Sequence, residues 1–395
     1  MPGWHAKTEA LQREGRLQIM GIVQEQHPDR CRLFMQWKQM GWPVAVDALN
    51  RLGFDGVPIT FLIDEHGVVR FVNPEPGELE TFLATAYPLP PGLPTAPDEE
   101  EVPATAPPGE PASAGAWRDH GDALFLWGAD ERLGDALGAY GRALAESGDD
   151  GPLHFRLGTT YRRRYDSPHR ETADFQRAVD HWARALEISP NQYIWRRRLQ
   201  QFGPRLEKPY PFYHWVEEAR RDIRERGDDP LPLVAEPGGS EVAAPEESFE
   251  ARTRAEPDAA GRITRDPGRL IRVEATQVPP VVVPGGVARV YLVFRPDPGV
   301  KAHWNNEVDP LEVWVRPLPG WVVDQPALTA DPPPEAVSVE AREAQFELKA
   351  PDDAKPGSTL VPAYALYYVC EDVNGLCLYR RQDLSIPVRV RRPPR

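Results

Sequence analysis

The chain has 395 residues, enough for two or three domains at roughly 100 to 200 residues each. Its net charge of -14 lacks the basic footprint that phosphate backbones require, so nucleic acid is not an expected partner of the whole chain. No apolar run approaches the ~18 residues of a membrane-spanning helix, and Met1-Pro2-Gly3-Trp4-His5 lacks the basic and apolar regions of a secretory signal.

As written, the chain reads as cytoplasmic; an exported protein would require a native start upstream of Met1. The three cysteines, Cys31, Cys370 and Cys377, are too few for a disulfide scaffold. They form no metal-ligand spacing with the nine histidines, so neither a metal nor another cofactor is expected. Redox chemistry must then centre on one close pair.

The 45 prolines and 31 glycines are predicted to collect in linkers. Residues 88–116 are rich in Pro, Ala, Glu and Gly around Asp98-Glu99-Glu100-Glu101, and residues 226–265 repeat that composition. Three modules remain: 1–87, 117–225 and 266–392.

In the first module, Lys7 to Glu14 reads as the end of a helix and Leu17 to Val23 as a buried strand. His27 to Met40 reads as a helix with Leu33, Phe34, Trp37 and Met40 at spacings of three and four. After Pro43, Val57 to Asp64 is a strand that turns at Asp64-Glu65-His66-Gly67 and returns through Val68 to Val72, before a helix near Glu78 to Thr85. An α/β sandwich is predicted. Gly21-Ile22-Val23, Trp42-Pro43-Val44 with Asp47, and above all Gly56-Val57-Pro58-Ile59-Thr60-Phe61-Leu62-Ile63-Asp64 with Gly67 resemble the thioredoxin superfamily, especially its peroxiredoxin-like and cytochrome-maturation branches. The resemblance implies that Pro58 is the cis-proline that faces a redox dithiol. The family's first strand and Cys-x-x-Cys would fall before Lys7, where neither is present. An upstream start and a naturally degenerate domain both account for this. Cys31, inside the following helix, reads as a packing residue, and His27 as capping or surface.

Residues 117–225 are predicted helical. Ala136, Tyr140 and Ala143 are echoed by Ala178, Trp182 and Ala185, followed by Pro190, with Leu157-Gly158 and Tyr161 before the second set. These positions resemble the tetratricopeptide repeat, with an insertion around Arg162 to Thr172. Two repeats need caps, which helices at Tyr193 to Phe202 and Tyr213 to Glu225 would supply. The resemblance implies a protein-docking groove, against which stands a plain helical spacer. Arg162-Arg163-Arg164 and Arg196-Arg197-Arg198 read as solvated faces or as a patch for an acidic peptide. Trp195, Tyr210, Phe212, Tyr213 and Trp215 read as core or cap.

Residues 266–392 switch to alternating strands: Leu270 to Ala275, Val287 to Phe294, Leu311 to Arg316, Ala344 to Lys349, Leu360 to Val369 and Leu384 to Val390. Turns at Pro284-Gly285, Pro319-Gly320 and Pro356-Gly357 separate them, which predicts an antiparallel, immunoglobulin-like β-sandwich. Cys370 and Cys377 flank a polar turn at a hairpin tip, where a local disulfide is feasible. His303-Trp304-Asn305-Asn306 reads as a loop. With Tyr367-Tyr368, Leu378-Tyr379, Gly299 to Trp304 and the strand from Gly357 to Tyr368, the pair resembles the N-terminal periplasmic domain of the DsbD family of thiol-disulfide interchange proteins. The resemblance implies that Cys370 and Cys377 cycle between dithiol and disulfide with protein partners. A static disulfide and two inert thiols remain alternatives. Glu371 and Asp372 oppose a low thiol pKa.

Two functions follow. One is a multidomain thiol-disulfide exchange protein acting on protein thiols and disulfides. The other is a non-catalytic adaptor that recruits proteins through its helical module, flanked by degenerate redox folds.

Overall fold

The computed structural model describes residues 2–24, 28–92, 106–109, 112–207, 215–233, 248–251, 254–267, 270–372 and 375–392. His27, Tyr210, Phe212, Tyr213 and much of both linkers lie outside the described residues. The fold is mixed: helices, two small two-stranded sheets and two larger sheets.

The N-terminal unit runs α1 (Pro2–Arg13), β1 (Gly21–Val23), α2 (Pro28–Lys38), β2 (Val44–Val46), β3 (Phe61–Ile63), β4 (Val69–Val72) and α3 (Glu78–Ala84). Strands β1 and β2 pair in parallel, with Gly21 against Val44, and β3 and β4 form an antiparallel hairpin. Asp64 fixes that hairpin turn: its carboxylate accepts the amides of His66 and Val68, both at 2.9 Å, and the Arg70 Nε at 2.6 Å. Burial alone would raise its pKa, but these donors outweigh burial and hold it below the usual carboxylate range.

The predicted single sandwich is replaced here by two separate sheets. Strands of three or four residues each pair with one neighbour, and among the described residues no strand joins β1 to β3. The Leu17 to Val23 strand expected to be buried is only Gly21–Val23, and Ile22 is 49% exposed. Val46, Ile63, Val69 and Val72 are exposed as well.

The middle unit comprises α4 (Ala114–Trp127), α5 (Leu133–Ser147), α6 (Gly151–Tyr165), α7 (Asp174–Ile188) and α8 (Tyr193–Gln200), each packed on the next. Ser113 and Asp150 start α4 and α6 by accepting the amides of Ala116 and Leu153, which satisfies otherwise orphaned N-terminal donors. Two glycines set the helix spacing. A Cβ at Gly158 would lie 2.5 Å from Trp182 Cδ1, and one at Gly121 would lie 2.5 Å from Tyr140 Cε1.

The arginine triplets are not uniform solvated faces: Arg162, Arg164 and Arg198 are buried, whereas Arg196 is exposed. Arg162 is fully buried against the rings of Phe175 and Phe202, with its Nε on Asp166. Arg163 bonds the Phe125 carbonyl and Asp130, and Arg164 grips Glu171 and Asp174. In the second triplet, Arg196 donates to the Pro190 carbonyl and Arg198 to that of Gln24. Trp195 is buried core, stacked on Phe155.

Helix α9 (Trp215–Glu225) departs from its predicted role as a cap for the middle unit. Its Val216, Ala219 and Ile223 stripe packs on Leu33 and Trp37 of α2, and Trp37 Nε1 donates to Asp222 at 2.9 Å. The apolar spacing of three and four fits the matching stripe on α2, so α9 closes the N-terminal unit instead.

The C-terminal unit is a two-sheet β-sandwich. One sheet runs β5 (Ile271–Val278), β6 (Val287–Pro296), β12 (Arg342–Lys349) and β9 (Val322–Val323). The other centres on β13 (Gly357–Glu371), which pairs along its whole length with β14 (Leu376–Val390). The opposite edge of β13 is shared by β8 (Leu311–Val315) and β7 (Ala302–Asn305), which continue to β10 (Ala327–Ala330) and β11 (Val337–Ser338). Val361, Ala363, Ala365, Tyr367 and Val369 of β13 alternate into the core with Trp304, Val313, Leu292 and Phe346.

Strand β6 is buried on both faces. Ala288, Val290, Leu292 and Phe294 fill the sandwich, while Tyr291 enters a second core with Phe175, Trp182 and Phe202 of the helical unit. Its hydroxyl donates to the Phe202 carbonyl at 2.8 Å. Arg205 bonds Asp324 and Glu347 across the same junction.

Candidate functional site

Cys370 near the end of β13 lies directly opposite Cys377 near the start of β14, and the two form a disulfide with a Cα–Cα distance of 3.9 Å. Side chains of a strand alternate, so Cys370 shares a face with Tyr364, Leu366 and Tyr368, not with the core residues Tyr367 and Val369. The sulfurs therefore sit on the outer face of the sheet. Removing them would leave the sandwich core intact.

The ladder pattern fixes which backbone groups are free. The Arg381 amide donates to the Thr264 carbonyl at 3.0 Å, and the Arg381 carbonyl accepts the Asp266 amide at 2.7 Å. Arg381 thus points its polar backbone away from β13, and by alternation so do Tyr379 and Cys377. Cys370 and Cys377 consequently occupy a non-hydrogen-bonded pair, the arrangement in which facing side chains approach most closely. On the other side, Cys370 pairs with His303 of β7.

The two cysteines differ in exposure. Cys370 is 5% exposed, whereas Cys377 is exposed. Two residues along, Tyr368 and Tyr379 are the next facing pair and stack at 4.4 Å, forming an aromatic shelf beside the disulfide. Burial raises the Tyr379 pKa, so its hydroxyl stays neutral near pH 7. His303 Nδ1 lies 3.8 Å from Asp372 and 3.4 Å from the Lys301 carbonyl. The imidazole thus faces a carboxylate, and His303 is the cross-strand neighbour of Cys370. His303-Trp304-Asn305 was expected to be a loop but forms strand β7. Trp304 is fully buried, with its Nε1 on the Glu340 carbonyl at 2.9 Å. The alternation of His303 outward with Ala302 and Trp304 inward was the available signal for both the strand and the histidine's place.

Pro58 belongs to the N-terminal unit, on the loop before β3, and the Val57-Pro58 peptide is cis. Cys31 lies in α2, half-buried and outside any disulfide. Neither shares a unit with the sulfur pair.

No protein-family model matches the chain, and no curated protein matches it. Solved structures that it resembles weakly include AvmM, described as catalysing macrocyclization in alchivemycin A biosynthesis, at 14% identity and TM-score 0.19 over 34% of this chain and 97% of that one. Another is the sporulation control protein Spo0M from Bacillus subtilis, at 10% identity and TM-score 0.14 over 31% of this chain and 49% of that one. A third is neutral ceramidase from Pseudomonas aeruginosa, at 12% identity and TM-score 0.16 over 60% of this chain and 31% of that one. Similarity this low carries no functional argument. What stands is a mixed, multidomain α/β protein with one disulfide among the described residues, none of whose described helices is long and apolar enough to cross a membrane.

Proposed function

We propose that this chain is a multidomain thiol-disulfide exchange protein whose redox centre is Cys370–Cys377, in a DsbD-like sandwich carried with thioredoxin-like and tetratricopeptide-like units. The observation that carries the proposal is the asymmetry of the pair. A cross-strand disulfide lies on the outer face of the sheet with Cys377 exposed and Cys370 covered. A thiolate from a protein partner attacks the exposed sulfur to give a mixed disulfide, and Cys370 departs. A purely structural staple gains nothing from one accessible sulfur.

The adaptor reading has less support. The helical face carrying Phe175, Trp182 and Phe202 is covered by Tyr291 and Val278 of the sandwich, and Phe125 and Leu133 are covered by Ala48 and Leu49 of the N-terminal unit. The test is a titration of the native protein against redox buffers, with alkylation and mass spectrometry of Cys370 and Cys377. A reversible two-electron transition is expected. A pair that stays oxidised under all non-denaturing conditions, or never re-forms, rejects the proposal.

A further inference from the structure

Resting on the redox reading above, we infer that Cys377 is presented to extended, cysteine-bearing polypeptide segments, which dock by pairing with the open edge of β14 beside it. Among the described residues, β14 has no strand on its outer side from Leu376 to Arg380. The outward-pointing amides and carbonyls there belong to Cys377 and Tyr379, by the alternation that Arg381 establishes. The Tyr379 carbonyl also accepts the exposed side chain of Arg380 at 3.0 Å, which leaves it a second lone pair.

Two independent features select an extended peptide as the occupant. The first is that the same edge is already used this way. The protein's own segment around Arg265 lies parallel to β14 at Arg381, bonded through Thr264 and Asp266, and then turns away across the outer face, where Ile263 packs on the Trp314, Tyr364 and Leu366 cluster. The edge is therefore geometrically competent for strand addition, and it is vacant where it reaches the disulfide.

The second feature is the direction of attack. Displacement at a disulfide sulfur proceeds in line with the bond that breaks. The Cys370–Cys377 bond joins β13 to β14, so its continuation beyond Cys377 leads away from β13, over the open edge. Its continuation beyond Cys370 leads toward β7 and His303, where Cys370 is buried. A cysteine on a strand paired with β14 faces Cys377 from the productive side. A residue two places along that strand shares its face and meets the Tyr379 ring, so an aromatic or apolar residue is favoured there.

The exchange balances with a partner dithiol as reductant. The partner thiolate forms a bond to Cys377 Sγ, and the electron pair of the broken bond leaves on Cys370 Sγ, which takes a proton from water. The partner's second thiolate then attacks the partner sulfur of the mixed disulfide. Cys377 is released as a thiolate, and two electrons have passed to this protein.

The test uses the oxidised full chain and compares three reductants: dithiothreitol, a blocked single cysteine, and a short extended peptide containing Cys-Thr-Phe. The peptide is expected to form the mixed disulfide at least about tenfold faster than the blocked cysteine. N-methylation of one alternate set of peptide amides abolishes that advantage, and methylation of the other set leaves it. Tyr379→Pro removes the outward N–H together with the stacked ring, and Tyr379→Ala removes the ring alone; Tyr379→Pro is expected to reduce the peptide's advantage further than Tyr379→Ala. Equal reaction of peptide and single cysteine, or equal loss from both methylated sets, overturns the inference. Failure of dithiothreitol to reduce the native pair rejects the redox reading itself, a separate outcome.

Discussion

Reduction of Cys370–Cys377 separates a redox centre from a structural staple, because the two make different demands on stability. The cysteines are seven residues apart, so the closed loop is short. Loop-closure entropy over so few residues corresponds to roughly 2 kcal/mol of stabilisation in the chain-entropy account. Against this stands a β13–β14 ladder of fifteen residue pairs, of which only Glu371 and Leu376 lie beyond the cysteines towards the turn. Tyr367, Val369 and Trp304, which anchor this end of the core, lie on the opposite face from the sulfurs. Reduction is therefore expected to cost about 2 kcal/mol and to leave the sandwich folded. The assay compares oxidised protein, reduced protein and a Cys370→Ala/Cys377→Ala variant by urea denaturation, with amide exchange read at Val369 and Leu378. Reduced protein and double variant should agree, with protection at both amides lowered but retained. A loss beyond about 5 kcal/mol, at the top of the range for native disulfides, or a collapse of protection throughout β13, would make the pair a staple and refute the reasoning.

Once reduced, Cys377 should be alkylated by iodoacetamide at least about tenfold faster than Cys370, because reactivity follows access; equal rates would remove the asymmetry on which the proposed function depends. In the helical unit, His154 Nδ1 and His181 Nδ1 lie 2.8 Å apart, and burial together with the His154 charge pushes the His181 pKa down to about 4. The unfolded chain then binds more protons between about pH 6.5 and 4, so stability is complete above that window and falls as pH drops through it. A loss of roughly 2 kcal/mol is expected at pH 5, and His181→Gln should flatten the profile measured by thermal denaturation. Gly158→Ala forces a methyl group into Trp182 and the Ala178 carbonyl, and should lower stability by about 1 to 3 kcal/mol; an unchanged melting temperature would contradict the close helix crossing. Tyr291→Phe leaves the buried Phe202 carbonyl without its donor, and should cost about 1 to 3 kcal/mol while loosening the helical unit from the sandwich in limited proteolysis.

The elements that could be read from the sequence are those whose burial is one-sided. Leu384 to Val390 alternates and falls within β14, Leu360 to Val369 falls within β13 although Tyr364 and Leu366 are covered on the outer face too, and the α7 stripe of Ala178, Trp182 and Ala185 lies in a helix core. The remainder was set by tertiary contacts that composition does not reveal. Val287 to Phe294 is a nearly unbroken apolar run because both faces of β6 are covered, one by the sandwich and one by helices. Arg162 looks like a surface charge in sequence, yet it is enclosed by aromatic rings and paired with Asp166. At the site, Cys370 and Cys377 are legible from their spacing. His303 is not, because its place depends on the register of β7 against β13, across 66 intervening positions of chain.

The same register argument bears on how a single sulfur pair can serve a protein with three structural units. One dithiol cannot complete an exchange cycle alone, and among the described residues Cys31 is the only other cysteine, in a different unit. Under the proposed function the electrons come from another protein, and Cys377 is the exposed member of the pair. The helical unit spends its aromatic faces on internal contacts, binding the sandwich through Tyr291 and the N-terminal unit through Ala48 and Leu49. The Tyr291 contact lies on the β6 sheet, and the helical unit reaches the β13–β14 sheet near the C-terminal end of β14, where Arg389 meets Asp180, far along the strand from Cys377. Tyr291 thus docks the helical unit on the β6 sheet, and Cys377 stays exposed at the turn end of β14, as the proposed exchange with a separate protein requires.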